Sequence, residues 1–142
     1  MIPVQLFDNK ASIPRKAHET DAGFDLCSTE SLTLKPFERA TVGCGLGIAI
    51  PDGMAGLVIP RSGLASKHGI SIVNAPGLID SGYRGEVAVV LVNLDQKQVF
   101  EVHKGDRIAQ FAVVPMPSIH AILTESLPES ERGTQGFGSS GI

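Results

Sequence analysis

Tryptophan is absent from these 142 residues, tyrosine occurs once, and aromatic residues make up 5% of the chain. A densely packed interior must therefore be built almost entirely from aliphatic side chains. Two cysteines are too few for a disulfide framework, and the spacing of Cys27 and Cys44 matches no zinc motif. The histidines at 18, 68, 103 and 120 lack the i, i+4 spacing of a helical metal site. Positive charge is scarce as well: twelve Lys and Arg against fifteen Asp and Glu leave a net charge of −3. That balance excludes a broad basic face for duplex nucleic acid, although a few converging cations still suit a small polyanion. Apolar runs are too short to span a bilayer, and the opening Met-Ile-Pro-Val-Gln-Leu-Phe-Asp has no signal-peptide character. The expectation is a cytoplasmic chain with no membrane partner.

Glycine (16) and proline (9) are plentiful, and 42% of residues are hydrophobic. The length suits one domain with a real core, and the glycine and proline favour short elements joined by tight turns. Apolar segments recur at 4–7, 23–26, 32–34, 46–50, 56–59, 71–73, 87–94, 98–100 and 107–114. Most are short, often β-branched and alternating in places, which predicts an all-β sandwich or barrel. Residues 62–68, Ser-Gly-Leu-Ala-Ser-Lys-His before Gly69, predict one short helix with Ser at its start and Gly at its stop. The run at 87–92 is apolar at both parities, so both of its faces need cover, from its own sandwich or from a neighbouring subunit. From Thr124 the apolar content nearly vanishes, which divides the chain into a core at 1–123 and a flexible glycine-rich tail at 124–142.

Four stretches carry chemistry. The tail's Gly133-Thr-Gln-Gly-Phe-Gly138-Ser139-Ser140 approaches the phosphate-loop pattern but has Ser139 where lysine belongs and no following helix. Its glycines still turn backbone N–H groups toward an anion, its serines add donors, Arg132 adds a guanidinium, and Phe137 offers a ring to stack. Pro60-Arg61-Ser62-Gly63 places a guanidinium, a hydroxyl and free amides at a helix mouth. Gly77-Leu-Ile-Asp80-Ser-Gly-Tyr83-Arg-Gly-Glu86 puts a carboxylate and an aromatic ring on an expected hairpin. Gly105-Asp106-Arg107-Ile-Ala-Gln110 turns into a strand. Each has an ordinary structural explanation alone; together they suit a phosphate-bearing ligand.

With Asp21-Ala-Gly-Phe-Asp25-Leu, these stretches form five ordered motifs that resemble those of the trimeric dUTP diphosphatases (dUTPases) across most of the chain. One departure is visible. The family's last motif usually reads Arg-Gly-x-Gly-Gly-Phe-Gly, and Gln135 stands at the first of the paired glycines, where a positive φ would strain it. The resemblance implies a jelly-roll β-sandwich with one short helix, assembled as a homotrimer with the tail exchanged between subunits. It implies hydrolysis of dUTP to dUMP and diphosphate by water attack on the α-phosphate, with Mg2+ as cofactor. Asp80 is then the general base, Gln110 orients the water or an α-phosphate oxygen, and Asp25 holds Mg2+ through water. Arg61, Ser62 and Gly63 bind phosphates, and Arg132, Gly138, Ser139 and Ser140 clamp the terminal one. Asn74, Gly77 and Ile79 read the uracil edge, Tyr83 lies under the deoxyribose, and Phe137 stacks on the base. Arg107 is expected in a supporting ion pair and Asp106 in a structural role. The alternatives are a dCTP deaminase-like enzyme of the same superfamily and a non-catalytic nucleotide-binding regulator on this scaffold.

Overall fold

A computed structural model describes residues 1–135 of the chain. Its elements in order are β1 (Val4–Leu6), β2 (Phe24–Cys27), β3 (Leu32–Leu34), β4 (Arg39–Gly43), β5 (Leu46–Ile48), β6 (Met54–Ile59), α1 (Ser62–His68), β7 (Ile70–Ile72), β8 (Gly77–Ile79), β9 (Ala88–Asn93), β10 (Phe100–Val102) and β11 (Arg107–Pro115). This is the expected all-β architecture with one short helix. No described helix is long and apolar enough to cross a membrane.

Two antiparallel sheets form the body. One has the order β2-β11-β6-β8 and the other β4-β9-β7, while β1 pairs with β5 and β3 with β10. The core lies between them, with Leu26, Val58, Ile108 and Phe111 from the first sheet meeting Val42, Ile72, Val89 and Leu91 from the second. Each such aliphatic side chain, once fully buried, contributes about 1.5–3 kcal/mol. A core of this kind needs no tryptophan.

The strand β9 resolves the question of cover. Val89, Leu91 and Asn93 are buried, whereas Ala88 is exposed and Val90 and Val92 are half-buried. One chain thus covers one face of this apolar strand and leaves the other partly open. Asn93 is fully buried yet satisfied: its Nδ2 donates to the Leu34 and Gln98 carbonyls at 3.0 and 2.9 Å, and its Oδ1 accepts from the Asp95 amide at 2.9 Å.

Two elements differ from the sequence reading. The strand β4 escaped it because only Val42 of Arg-Ala-Thr-Val-Gly is buried, so its periodicity is faint. The expected hairpin around Asp80 is a crossing between sheets, because β8 pairs with β6 while β9 pairs with β4 and β7. The helix stands where predicted, but its N-cap is Arg61 in extended conformation with no side-chain capping bond, so Ser62 is the first helical residue. Gly69 closes it at φ 66, a left-handed geometry that favours glycine, and its amide bonds to the Ala65 carbonyl at 3.1 Å.

Both cysteines are free thiols. Burial pushes Cys44 from 9.0 up to about 12, with smaller contributions from Cys27 and Glu86. Raising the folded value favours the native state fully below pH 9, where folded and unfolded thiols are both protonated. Between pH 9 and 12 the unfolded thiol ionises while the folded one does not, so this stabilisation fades as pH rises, by about 1.4 kcal/mol per unit. Denaturant titrations of wild type and Cys44→Ala should show the alkaline fall in stability becoming shallower in the variant.

After Pro115 the chain has no strand or helix through residue 135, and every residue from 116 to 135 is exposed. Ile119, Ile122, Leu123 and Leu127 are 79–102% exposed, a stretch of apolar side chains with no partner among the described residues of this chain.

Candidate active site

Apart from the tail, the predicted site residues fall into two groups, one beside β8 and one around Asp25 of β2. The first surrounds a pocket of about 240 Å³ at the edge strand β8, whose lining includes Asn74, Gly77, Ile79, Asp80 and Tyr83. Their convergence follows from topology. Gly77 and Ile79 point inward along β8, where Gly77 sits opposite Val58 and Ile79 opposite Gly56. Asn74 precedes the strand across a cis Ala75–Pro76 bond, and Asp80 follows it directly. Tyr83 folds back over its own loop: its amide bonds to the Asp80 carbonyl at 3.1 Å and its hydroxyl donates to the Glu86 carbonyl at 2.8 Å. Asp80 is exposed, and among the described residues its carboxylate has no ion pair or hydrogen bond.

The second group surrounds Asp25. Antiparallel pairing sets Gln110 of β11 opposite both Asp25 of β2 and Ile59 of β6. The side chain of Asp25 is 10% exposed and lies between two guanidiniums, with Arg61 Nε and Arg107 Nη1 each 3.2 Å from one of its oxygens. The supporting pair expected of Arg107 is therefore with Asp25. Arg61 Nη1 also donates to the Arg107 carbonyl at 3.2 Å, which fixes the guanidinium at the entrance to α1. Asp106 accepts from the His103 amide at 2.8 Å and closes the turn into β11. A Cβ placed on Gly63 would meet nothing within 4 Å, so no packing within this chain demands glycine there.

One chain does not bring the two groups together. From Ile79 to Gln110 the path crosses two strand spacings and three residues of rise, roughly 14 Å at ~4.8 Å per spacing and ~3.3 Å per residue. Asp80 lies one residue beyond Ile79, farther from Gln110 along the sheet. Two groups that handle one water must each reach within ~3 Å of it.

Mg2+ has a partial fit. No group of three His, Cys, Asp or Glu able to hold a metal occurs among the described residues, and the Asp25 oxygens already face guanidiniums. A lone paired carboxylate does not build a cage. It suits an ion that keeps its waters and takes its charge balance from phosphates.

In the tail, Arg132 Nε donates to the Gln135 carbonyl at 2.9 Å, and Gly133 adopts φ 51. Among the described residues Phe37 alone has positive φ outside glycine, so Gln135 carries no such strain here. Phe137, Gly138, Ser139 and Ser140 lie outside the described residues. The sequence reading did not single out Glu86 or Gly43, which buttress the Tyr83 loop. The signal for them was the alternation Gly43-Cys-Gly45-Leu-Gly47.

Fold and site together define an all-β protein with a carboxylate-bearing pocket beside one sheet edge and a carboxylate held between two arginines on another part of the same sheet. The dUTPase family model matches residues 9–141, and the chain belongs to that family. It is 53% identical over 129 residues to the deoxyuridine 5'-triphosphate nucleotidohydrolase of Leifsonia xyli, covering 91% of this chain and 85% of that one. It is 50% identical over 142 residues to the Rhodococcus erythropolis protein of the same name, covering 99% and 85%. Among solved structures, the Staphylococcus bacteriophage 80alpha dUTPase with dUPNHPP superposes with a TM-score of 0.92 at 31% identity, covering 100% and 99%. A dUTPase of the S. aureus phage phi11, described as coordinating a structural Mg(II) ion, superposes at 0.84 with 27% identity, covering 91% and 99%.

Proposed function

We propose that this chain hydrolyses dUTP to dUMP and diphosphate, in a homotrimer whose active sites are shared between subunits. The observation that carries the reading is the convergence of Asn74, Gly77, Ile79, Asp80 and Tyr83 on one pocket. Its ~240 Å³ is smaller than the ~300–1,000 Å³ of drug-sized sites, which suits the nucleoside end of a nucleotide and leaves the triphosphate to other residues.

Asn74 offers an amide donor and acceptor to the uracil edge, with backbone groups around Gly77 and Ile79 beside it. Cytosine presents an amino group where uracil presents O4, which leaves buried donors facing donors. The Tyr83 ring underlies the deoxyribose and leaves no room for a 2′-hydroxyl. Asp80, which has no side-chain partner among the described residues, accepts the proton of the water that attacks the α-phosphorus, and Gln110 orients that water. The new bond is water oxygen to α-phosphorus; the bond from that phosphorus to the bridging oxygen breaks, and diphosphate leaves. Arg61, the Ser62 hydroxyl and the amides around Gly63 neutralise and position the phosphates. Asp25 would hold Mg2+ through water, and the ion would add charge neutralisation on the phosphate oxygens. Arg132, Gly138, Ser139 and Ser140 of the tail close on the terminal phosphate, with Phe137 on the base.

Sharing supports this chemistry in two ways. Asp80 and Gln110 are too far apart in one chain to serve one water, and a neighbour's copy removes that distance. The half-covered face of β9 and the exposed apolar stretch at 116–127 also give subunits something to bury. The working location is the cytoplasm.

Diphosphate release from dUTP, dCTP, dTTP and UTP, with and without Mg2+, tests the reading. Fast release from dUTP alone, reduced by chelation, is expected. Ammonia from dCTP would favour a deaminase, and binding without turnover a regulator.

A further inference from the structure

The loop that carries Asp80 and Tyr83 rests on a seat made largely of glycine. The connection from β4 to β5 reads Gly43-Cys-Gly45-Leu-Gly47. The incoming chain docks there by its main chain, with the Cys44 amide donating to the Val87 carbonyl at 3.0 Å and the Val87 amide to the Leu46 carbonyl at 2.8 Å. A third bond comes from a side chain: Glu86 Oε1 accepts from the Gly45 amide at 2.7 Å. A Cβ on Gly43 would stand 2.5 Å from that same oxygen, so the carboxylate enters only because residue 43 has no side chain.

Glu86 is also the residue to which Tyr83 is tied. The Tyr83 hydroxyl donates to the Glu86 carbonyl, and the ring lies so close over Gly85 that a Cβ there would be 2.5 Å from the hydroxyl oxygen. Among the described residues Arg84 Nη1 bonds only to the Ser81 and Tyr83 carbonyls within the loop, at 2.6 and 2.8 Å, and so does not anchor it to the frame. A chain of contacts therefore runs from the frame at Gly45 through the Glu86 carboxylate to the Glu86 carbonyl and on to the Tyr83 ring. The bond at its root is charge-assisted, which makes it among the stronger kinds.

We infer that Glu86 and Gly43 form a positioning pair that sets the height of the Tyr83 ring and with it the rejection of the 2′-hydroxyl. This rests on the assignment of Tyr83 to the deoxyribose. Gly43 lies outside the lining of the pocket, and Glu86, which borders it, acts here through the Tyr83 ring. Their effect is on selectivity, because displacing a ring by about 1 Å is enough to change rates by up to 10²-fold.

The test compares kcat/KM for dUTP and UTP in Glu86→Ala, Glu86→Gln, Gly43→Ala and the Glu86→Ala/Gly43→Ala double variant. Thermal melts and sedimentation establish that each is folded and assembled. Loss of discrimination by about tenfold is expected in Glu86→Ala. The glutamine variant keeps an acceptor oxygen and should restore it. Gly43→Ala should lose discrimination similarly, since its methyl displaces only the end of the Glu86 side chain. The double variant should be no worse than either single one. If Glu86→Ala is too unstable to assay, Gly43→Ala decides. Wild-type discrimination in folded Gly43→Ala, a glutamine variant as poor as alanine, or additive losses would overturn the inference while leaving dUTP hydrolysis intact. A wild type that takes UTP as readily as dUTP would remove the assignment of Tyr83 to the deoxyribose, and the inference with it.

Discussion

Replacing Asp80 by Asn is expected to lower kcat for dUTP by about 10²–10⁴-fold, the usual contribution of a positioned general base. The melting temperature should barely change. The Asp80 carboxylate is exposed and makes no ion pair or hydrogen bond among the described residues, so an isosteric amide removes no stabilising contact. Nucleotide binding should persist as well, because Asn74, Tyr83 and the arginine seat are untouched. A dUTP analogue titrated into the variant measures the Kd, and rapid-quench turnover measures kcat. Loss of binding in parallel with kcat would recast Asp80 as a recognition group. Near-normal kcat would remove the base from the scheme.

Deleting residues 132–142 should be nearly as damaging to catalysis while leaving the body of the protein as stable as before. In the proposed scheme Arg132, Ser139 and Ser140 donate to phosphate oxygens, and losing even one well-placed donor of this kind typically costs ~10²–10³ in rate. The core has little stake in the segment. Residues 116–135 are exposed throughout, and the described contacts of Arg132 and Gly133 are local, to Gln135 and Ser130. Calorimetry of the truncated chain should therefore superpose on that of the full one, while kcat/KM for dUTP falls by about 10²-fold or more. A truncated protein of unchanged kcat/KM would mean that the tail takes no part in the reaction.

Much of this architecture was readable in the chain because its signals are local. Strands such as β9 and β11 announce themselves by dense β-branched runs, and the stop of α1 by Gly69. The element β4 hid because a strand with a single buried side chain leaves almost no period. The crossing at Asp80 looked like a hairpin because glycine-rich turns read alike whether the flanking strands pair together or join different sheets. Site residues were legible as motifs, yet their distribution was not. The pairing of Gln110 with Asp25, and the distance of both from Asp80, depend on strand order, which hydrophobic periodicity does not encode. Glu86 was missed for a related reason: its carboxylate matters through an amide forty-one positions away.

The claim on which the scheme turns is that Asp80 and Gln110 act on one substrate from different subunits, and mixing two inactive variants tests it most directly. Asp80→Asn and Gln110→Ala chains, refolded together in equal amounts, should regain activity that neither shows alone. Random assembly gives about a quarter of the sites an intact residue from each side, so about a quarter of wild-type kcat is predicted. A mixed, fully assembled trimer as inactive as its two parents would contradict the shared site.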